Sequence, residues 1–296
     1  MAVCQAQLLE LPSYVKRQRK EKTFGSRQEL KDTGRFLIKL GSSVVTREDG
    51  QGVALPRLTS IVEQLAICHS KGIECCIVSS GAIAFGKKIL LEELNKKGLP
   101  NILNISQKRA AAAIGQPGLM SLYKTLFAQY NINVAQVLIS NGSMGQQDAR
   151  DIIKSTLGEL LSLNIIPIIN TNDAVNVPDS GRSDDVNLCD NDILAVALAA
   201  EIESDLVILA TDVNGLYDKP PSEPGSNLIS NFQPMKQTGI KFGGTSNIGT
   251  GGMDSKVKAA TYALSRGVSP VICNGEEPNF ITALLAGDSV GTFFYQ

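Results

Sequence analysis

The chain has 296 residues, 43% of them hydrophobic, and a formal net charge of -1. That is enough to bury a sizeable core, and the lack of a bulk positive charge makes nucleic acid a poor main partner. No apolar run approaches the roughly 20 residues of a membrane span, and the N-terminus lacks the apolar centre of a secretory signal.

Residues 1–32 read as a basic N-terminal extension, flexible or targeting. Seven Lys or Arg stand against three Glu before position 32. The leader is weak grounds for a mitochondrial address and leaves the compartment open between cytoplasm and mitochondrial matrix. From Arg35 onward, short apolar runs alternate with longer helical patterns. FLIKL reads as a strand and GSSVV turns away from it. LPRLTSIVEQLAICHSKG has helical period and closes at Gly72. IECCIVSS is a strand running into Gly81, followed by an apolar, helix-like run. SQKRAAAAIGQPGLMSLYKTLFAQY is helical, with an interruption expected over residues 115–118. NVAQVLIS reads as a strand, ARDIIKSTLGELLSLN as a helix, and IIPIIN as a strand opening into TNDAVNVP. NDILAVALAAEIES is a helix and DLVILATD a strand. Residues 219–249, rich in Gly, Pro, Ser and Asn, read as a loop or lid. MDSKVKAATYALSRG is a helix, VSPVICNG a strand, FITALLAG a helix and VGTFFYQ a last strand.

Near-continuous apolar strands alternating with helices predict an α/β fold with a mostly parallel central sheet covered on both faces. Ligands in such folds bind beyond the carboxyl ends of the strands. The polar residues that follow each strand are therefore the candidates for chemistry. The six cysteines include no CxxC pair, and several sit in apolar runs. They read as small buried hydrophobes. With His69 as the one histidine, a zinc site is not expected and no metal ligands are assigned.

Lys39 closes the first strand, before Gly41, Ser42 and Ser43. It either holds a phosphate over a backbone turn or extends to water before an ordinary loop. Ser80 and Gly81 open a helix after the second strand, which suits an anion or a plain capped turn. Asn172 and Asp173 follow the strand IIPIIN, and Asp190, Asn191 and Asp192 precede a helix. A capping role covers one of the latter acids. Several Asp and Asn facing one crevice could instead hold a zwitterion or orient lysines and magnesium. Thr211 and Asp212 end a strand before an Asn-Gly turn. Finally, the glycine-rich Gly249, Thr250, Gly251 and Gly252 run into a helix bearing Met253, Asp254, Ser255 and Lys256. That is a phosphate-binding arrangement without Walker A spacing, or else a loop and a surface lysine.

Taken together, FLIKLGSSVV, IVSSGAIAFG, AAIGQPGLMSLY, PIINTNDAV, DNDILAVALAA, LATDVNGLYD and GTGGMDSKVKAA occur in the order seen in glutamate 5-kinases of the amino acid kinase family. The resemblance runs from about Arg35 to the C-terminus. NTNDAV, where bacterial members carry NENDAV, makes the chain most similar to the kinase half of delta-1-pyrroline-5-carboxylate synthetase. The resemblance implies a three-layer αβα sandwich of the amino acid kinase or carbamate kinase type over residues 33–296. It also implies ATP with Mg2+, L-glutamate as acceptor, and L-glutamyl 5-phosphate as product, an early intermediate toward proline. Lys39 and Lys256 match phosphate-bridging lysines. Asp192 matches the carboxylate that orients them, with Asp190 nearby. Ser80, Asp173 and Asn191 match glutamate-binding positions, and Gly41, Ser42 and Gly81 match anion-binding turns. Thr211, Asp212, Thr250, Gly251, Gly252, Met253, Asp254, Ser255 and Lys256 match nucleotide contacts. A homo-oligomer, an association with a glutamyl phosphate reductase, and feedback inhibition by proline or ornithine are further family expectations. The resemblance does not extend to the reductase of the bifunctional enzymes or to the RNA-modification-like domain of bacterial kinases; the chain reads equally as a short isoform, a stand-alone kinase or an excised domain, and the reductase activity is not carried over.

The chemistry agrees with the scarcity of histidine. A γ-carboxylate has a reference pKa of about 4.3 and is already ionised at neutral pH, so it needs no general base. The alternatives are a kinase of aspartate or N-acetylglutamate, against which NTNDAV and DNDILA argue, and a catalytically silent regulatory or assembly subunit. The latter predicts losses at Lys39, Asp192 or Lys256, and all three residues are present.

Overall fold

The structure is a computed structural model that describes residues 23–50, 52–99, 103–140, 142–176, 191–236 and 252–296. Eight strands form one sheet: β1 (Arg35–Leu40), β2 (Glu74–Ser79), β3 (Val134–Ile139), β4 (Ile166–Thr171), β5 (Leu206–Thr211), β6 (Asn231–Phe232), β7 (Ser269–Asn274) and β8 (Thr292–Phe294). Their order is β3-β4-β2-β1-β5-β7-β8-β6. All neighbouring pairs are parallel except β7 with β8. The helices are α1 (Ser42–Val45), α2 (Leu55–Ser70), α3 (Ala82–Lys96), α4 (Ile105–Ala128), α5 (Gln147–Ser162), α6 (Asn191–Glu201), α7 (Met253–Ser265) and α8 (Phe280–Leu285).

Strand residues alternate between two cores, as a period of two requires. Phe36, Ile38 and Leu40 of β1 join Cys75 and Ile77 of β2 under α2, α4 and α8. Leu37 of β1 joins Cys76, Val78, Val207 and Leu209 under α5, α6 and α7. These are the three layers expected, and β1, β2, β4 and β5 are buried along almost their whole length. The parallel register brings strand ends level: Leu40 lies beside Ser79 and beside Ala210, Ile139 beside Thr171, and Thr211 beside Asn274. One rim of the sheet therefore collects the polar residues that follow β1, β2, β4, β5 and β7.

The expected break at residues 115–118 is absent, because α4 runs unbroken for 24 residues with Pro117 inside it. The glycines serve a different purpose. A Cβ on Gly115 would lie 1.9 Å from the Ala82 carbonyl oxygen, and one on Gly86 would lie 1.9 Å from that of Ala111. Gly118 faces the Phe85 ring, 2.4 Å from where its Cβ would stand. Small residues let α3 and α4 meet backbone to backbone, and that packing outweighs the helix-breaking tendency of the Gly-Gln-Pro-Gly run.

Two more features were not legible. The stretch read as a lid contains β6, which pairs parallel with β8; its later part, residues 237–249, lies outside the described residues. In the basic extension, Phe24 and Leu30 are buried in the core. Arg27 donates to the carbonyls of Ser230, Asp288, Val290 and Gly291 and to Asn231 Oδ1. The segment read as an extension thus packs onto the β6–β8 edge through residues 24–32.

Candidate active site

Lys39 shares the β1 face of Leu37, so its side chain points toward α6 and α7. There it meets Asp192, in the first turn of α6. Lys39 Nζ lies 2.7 Å from Asp192 Oδ1, and Lys256 Nζ, from the first turns of α7, lies 2.9 Å from Asp192 Oδ2. Asp192 is fully buried, and both lysines are buried. Burial pushes the Asp192 carboxyl up, but the two ammonium groups together outweigh it and hold the carboxyl below its ordinary value. The acid stays ionised and the lysines stay together. Each ammonium has three donors, so each keeps N–H groups for a further anion. A buried ion cluster is weak support for stability, because desolvation offsets much of the attraction. Its position at the carboxyl-end rim of the sheet is the more informative fact.

The turn after β1 flanks this cluster. The Gly41 amide donates to Ala210 O. A Cβ on Gly41 would stand 3.2 Å from that oxygen, 3.7 Å from Lys39 Nζ and 3.7 Å from Ser43 Oγ. Ser43, read with Ser42 as part of this turn, therefore has its hydroxyl on the same side of Gly41 as the Lys39 ammonium. Arg57 of α2 braces the turn from behind. Its Nη1 donates to Ser43 O at 2.5 Å and Val44 O at 3.1 Å, and it pairs with Glu276 at 2.8 Å. A cation on the C-terminal carbonyls of α1 suits the dipole of that turn.

On the other side, Ser80 and Asn191 meet: Asn191 Nδ2 donates to Ser80 Oγ at 3.0 Å. Asn191 Oδ1 is buried and unpaired among the described residues. An orphaned acceptor in a polar crevice is a position for a ligand donor. Gly81 has φ +107°, and a Cβ there would meet Val45 Cγ1 at 2.8 Å. Both the left-handed backbone and the close approach require glycine. At the end of β4, Thr171 Oγ1 donates to Asp173 Oδ1 at 2.6 Å. Burial pushes the Asp173 carboxyl up, against the hydrogen bond from Thr171. Asn170 spans outward to Gln116 of α4 at 3.0 Å. This contact could not be read locally, since 54 residues separate the partners.

At the end of β5, Thr211 Oγ1 donates to Asp212 Oδ1 at 2.9 Å, and Thr211 O accepts from the Gly275 amide. Gly252 caps α7, and Ser255 Oγ bonds back to Gly252 O at 2.8 Å. Met253 and Asp254 occupy the first turn, with Met253 packed partly into the core. Asp190, Thr250 and Gly251 lie outside the described residues. The remaining candidates all fall on one rim: Lys39, Gly41, Ser42, Ser80, Gly81, Asp173, Asn191, Asp192, Thr211, Asp212 and the start of α7.

A mostly parallel sheet whose rim carries two ammonium groups on one buried carboxylate, flanked by glycine turns and helix starts, is an α/β arrangement whose rim suits an anion such as a phosphate. The sequence profile of the amino acid kinase family matches residues 34–274. The chain belongs to that family. Among curated relatives, it is 40% identical to a delta-1-pyrroline-5-carboxylate synthase of Mesembryanthemum crystallinum over 92% of this chain and 38% of that one. It is 37% identical to a glutamate 5-kinase of Clostridium acetobutylicum, covering 90% of this chain and 96% of the relative. The chain thus spans 38% of the length of the synthase and nearly all of the bacterial kinase. Among solved structures, an isopentenyl phosphate kinase of T. acidophilum matches with TM-score 0.57 at 20% identity, covering 88% of this chain and 100% of the other. The UMP kinase of Bacillus anthracis matches with TM-score 0.57 at 17% identity, over 88% and 96%. Those two likenesses concern the fold.

Proposed function

We propose that the chain transfers the γ-phosphoryl group of ATP to the γ-carboxylate of L-glutamate, giving L-glutamyl 5-phosphate, an early step toward proline. The observation that carries this is Asp192 holding Lys39 and Lys256 side by side at the sheet rim, next to the Ser80–Asn191 pair. The sequence relationship to glutamate 5-kinase narrows the acceptor to glutamate.

A γ-carboxylate oxygen attacks the γ-phosphorus, the bond to the β,γ-bridging oxygen breaks, and ADP leaves with that electron pair. No proton has to be removed, because the acceptor is ionised. The obstacle is repulsion between two anions, and catalysis of such a transfer rests on positioning and on neutralising the equatorial oxygens. Lys39 and Lys256 supply that charge from two directions, and Asp192 fixes both. Asp173 and the Asn191 Oδ1 acceptor suit the substrate's ammonium group, and Ser80 and Gly81 suit its carboxylates. Gly41, Ser42, Thr211, Asp212, Gly252 and the start of α7 suit the nucleotide.

Magnesium fits this arrangement as a companion of the nucleotide. Both Asp192 oxygens hold lysines, and no group of three His, Cys, Asp or Glu among the described residues forms a cage. Held by the triphosphate, the ion would supply further neutralising charge. The test is turnover with ATP, magnesium and L-glutamate, with the acyl phosphate trapped by hydroxylamine. L-Aspartate and N-acetyl-L-glutamate serve as competing acceptors. Hydroxamate at background with glutamate refutes the reading, and a faster rate with either competitor reassigns the substrate.

A further inference from the structure

Tyr123 of α4 is wholly buried, yet its hydroxyl ends at the substrate side of the rim, 2.8 Å from Ser79 Oγ. Ser79 Oγ in turn donates to Ser80 O at 3.0 Å. A serine has one hydroxyl hydrogen. With that hydrogen on Ser80 O, the Tyr123 hydroxyl must be the donor to Ser79. The bonds then run in one direction, from Tyr123 through Ser79 to the Ser80 carbonyl. Burial pushes the Tyr123 hydroxyl well above its ordinary value, so it stays a donor. Ser80 is tied at two further points: its amide donates to Leu40 O at 3.1 Å, and its Oγ accepts from Asn191 Nδ2 at 3.0 Å.

We propose that Tyr123 is a positioning residue of the glutamate site, fixing through Ser79 the peptide that joins Ser80 to Gly81. In a planar trans peptide the C=O and N–H groups point opposite ways. Holding the Ser80 carbonyl on Ser79 therefore turns the Gly81 N–H away from the core and toward the crevice, as a donor for a substrate carboxylate. The positive φ of Gly81 allows the chain to leave this peptide directly into α3. Tyr123 acts only through Ser79. The inference rests on the reading of the chain as a glutamate kinase.

The test is a kinetic comparison of the full chain with Tyr123→Phe, Ser79→Ala and the double variant, using hydroxamate formation and varying L-glutamate and ATP separately. Loss of one such hydrogen bond raises KM for L-glutamate about fivefold in Tyr123→Phe. KM for ATP and kcat stay within about twofold, the signature of a lost substrate-side contact. Ser79→Ala shows the same split, and the double variant is no worse than the weaker single variant, because both interrupt one chain of bonds. An unchanged KM for glutamate, an equal rise in both KM values, or multiplicative effects in the double variant overturn the proposal. A merely structural tyrosine would lower the melting temperature without that split. Should Tyr123→Phe fail to fold, Ser79→Ala decides alone by the same criterion. Wild-type protein that forms no hydroxamate refutes the kinase reading itself, and the proposal with it.

Discussion

Asp192→Asn is the sharpest perturbation of the lysine cluster. The side chain is fully buried, and its two oxygens hold one ammonium each, at 2.7 and 2.9 Å. Asparagine keeps the shape but leaves two buried cations around a neutral amide. At an effective dielectric constant near 20, an ion pair about 4 Å apart attracts by about 4 kcal/mol. Removing one partner from a buried pair costs about 3–5 kcal/mol. We expect a loss of stability of that size, read as a lower urea midpoint. We also expect kcat for hydroxamate formation to fall about 10²–10³-fold, the typical cost of removing a preorganised charge-stabilising group. The pH dependence gives an independent check. The Asp192 carboxyl is held below its ordinary value, so its contribution is complete above the unfolded value of about 3.9. That contribution is lost as pH falls through the lower folded value. Wild type and variant therefore differ fully at neutral pH and converge in strong acid. A kcat within a few-fold of wild type, together with an unchanged urea midpoint, would refute the orienting role.

Gly115→Ala places a methyl 1.9 Å from the Ala82 carbonyl oxygen, so α3 and α4 must separate; the urea midpoint should drop by the equivalent of about 1–3 kcal/mol or more. Asp173 carries a carboxyl that burial pushes up, so its ionised form weighs against folding at neutral pH. Asp173→Asn should accordingly raise KM for L-glutamate while leaving the melting temperature at pH 7 equal or higher, an advantage that disappears as the solution is acidified; a lower melting temperature at pH 7 would contradict this. Burial pushes the thiol of Cys68 up to about 11 and those of Cys76 and Cys273 up to about 12, and that of Cys75 is also raised well above the usual range. Peptide mapping after brief alkylation of native protein at pH 8 should find these four unmodified, and alkylation after denaturation should find all four labelled.

The sequence alone determined the three layers, because strands buried on both faces read as continuous apolar runs and helices keep their own period. Lys39, Ser80, Asn191, Asp192 and Lys256 were legible too, since each lies at the end of a strand, just after one, or in the first turns of a helix, and belongs to an ordered set of motifs. The glycine run of α4 was misread as a break, because its meaning depends on the backbone of α3 lying against it. The pairing of Gln116 with Asn170, of Tyr123 with Ser79 and of Arg57 with the turn after β1 left no local trace, as each joins residues from separate elements. The same holds for Arg27, whose carbonyl partners come from the far end of the chain. Periodicity and motif order specify which residues face a rim. Only the tertiary structure decides which of them touch, because hydrogen bonds and ion pairs depend on distances that the chain sets by folding. Two lysines 217 positions apart thus share one carboxylate, and that geometry makes the rim a candidate phosphoryl-transfer site.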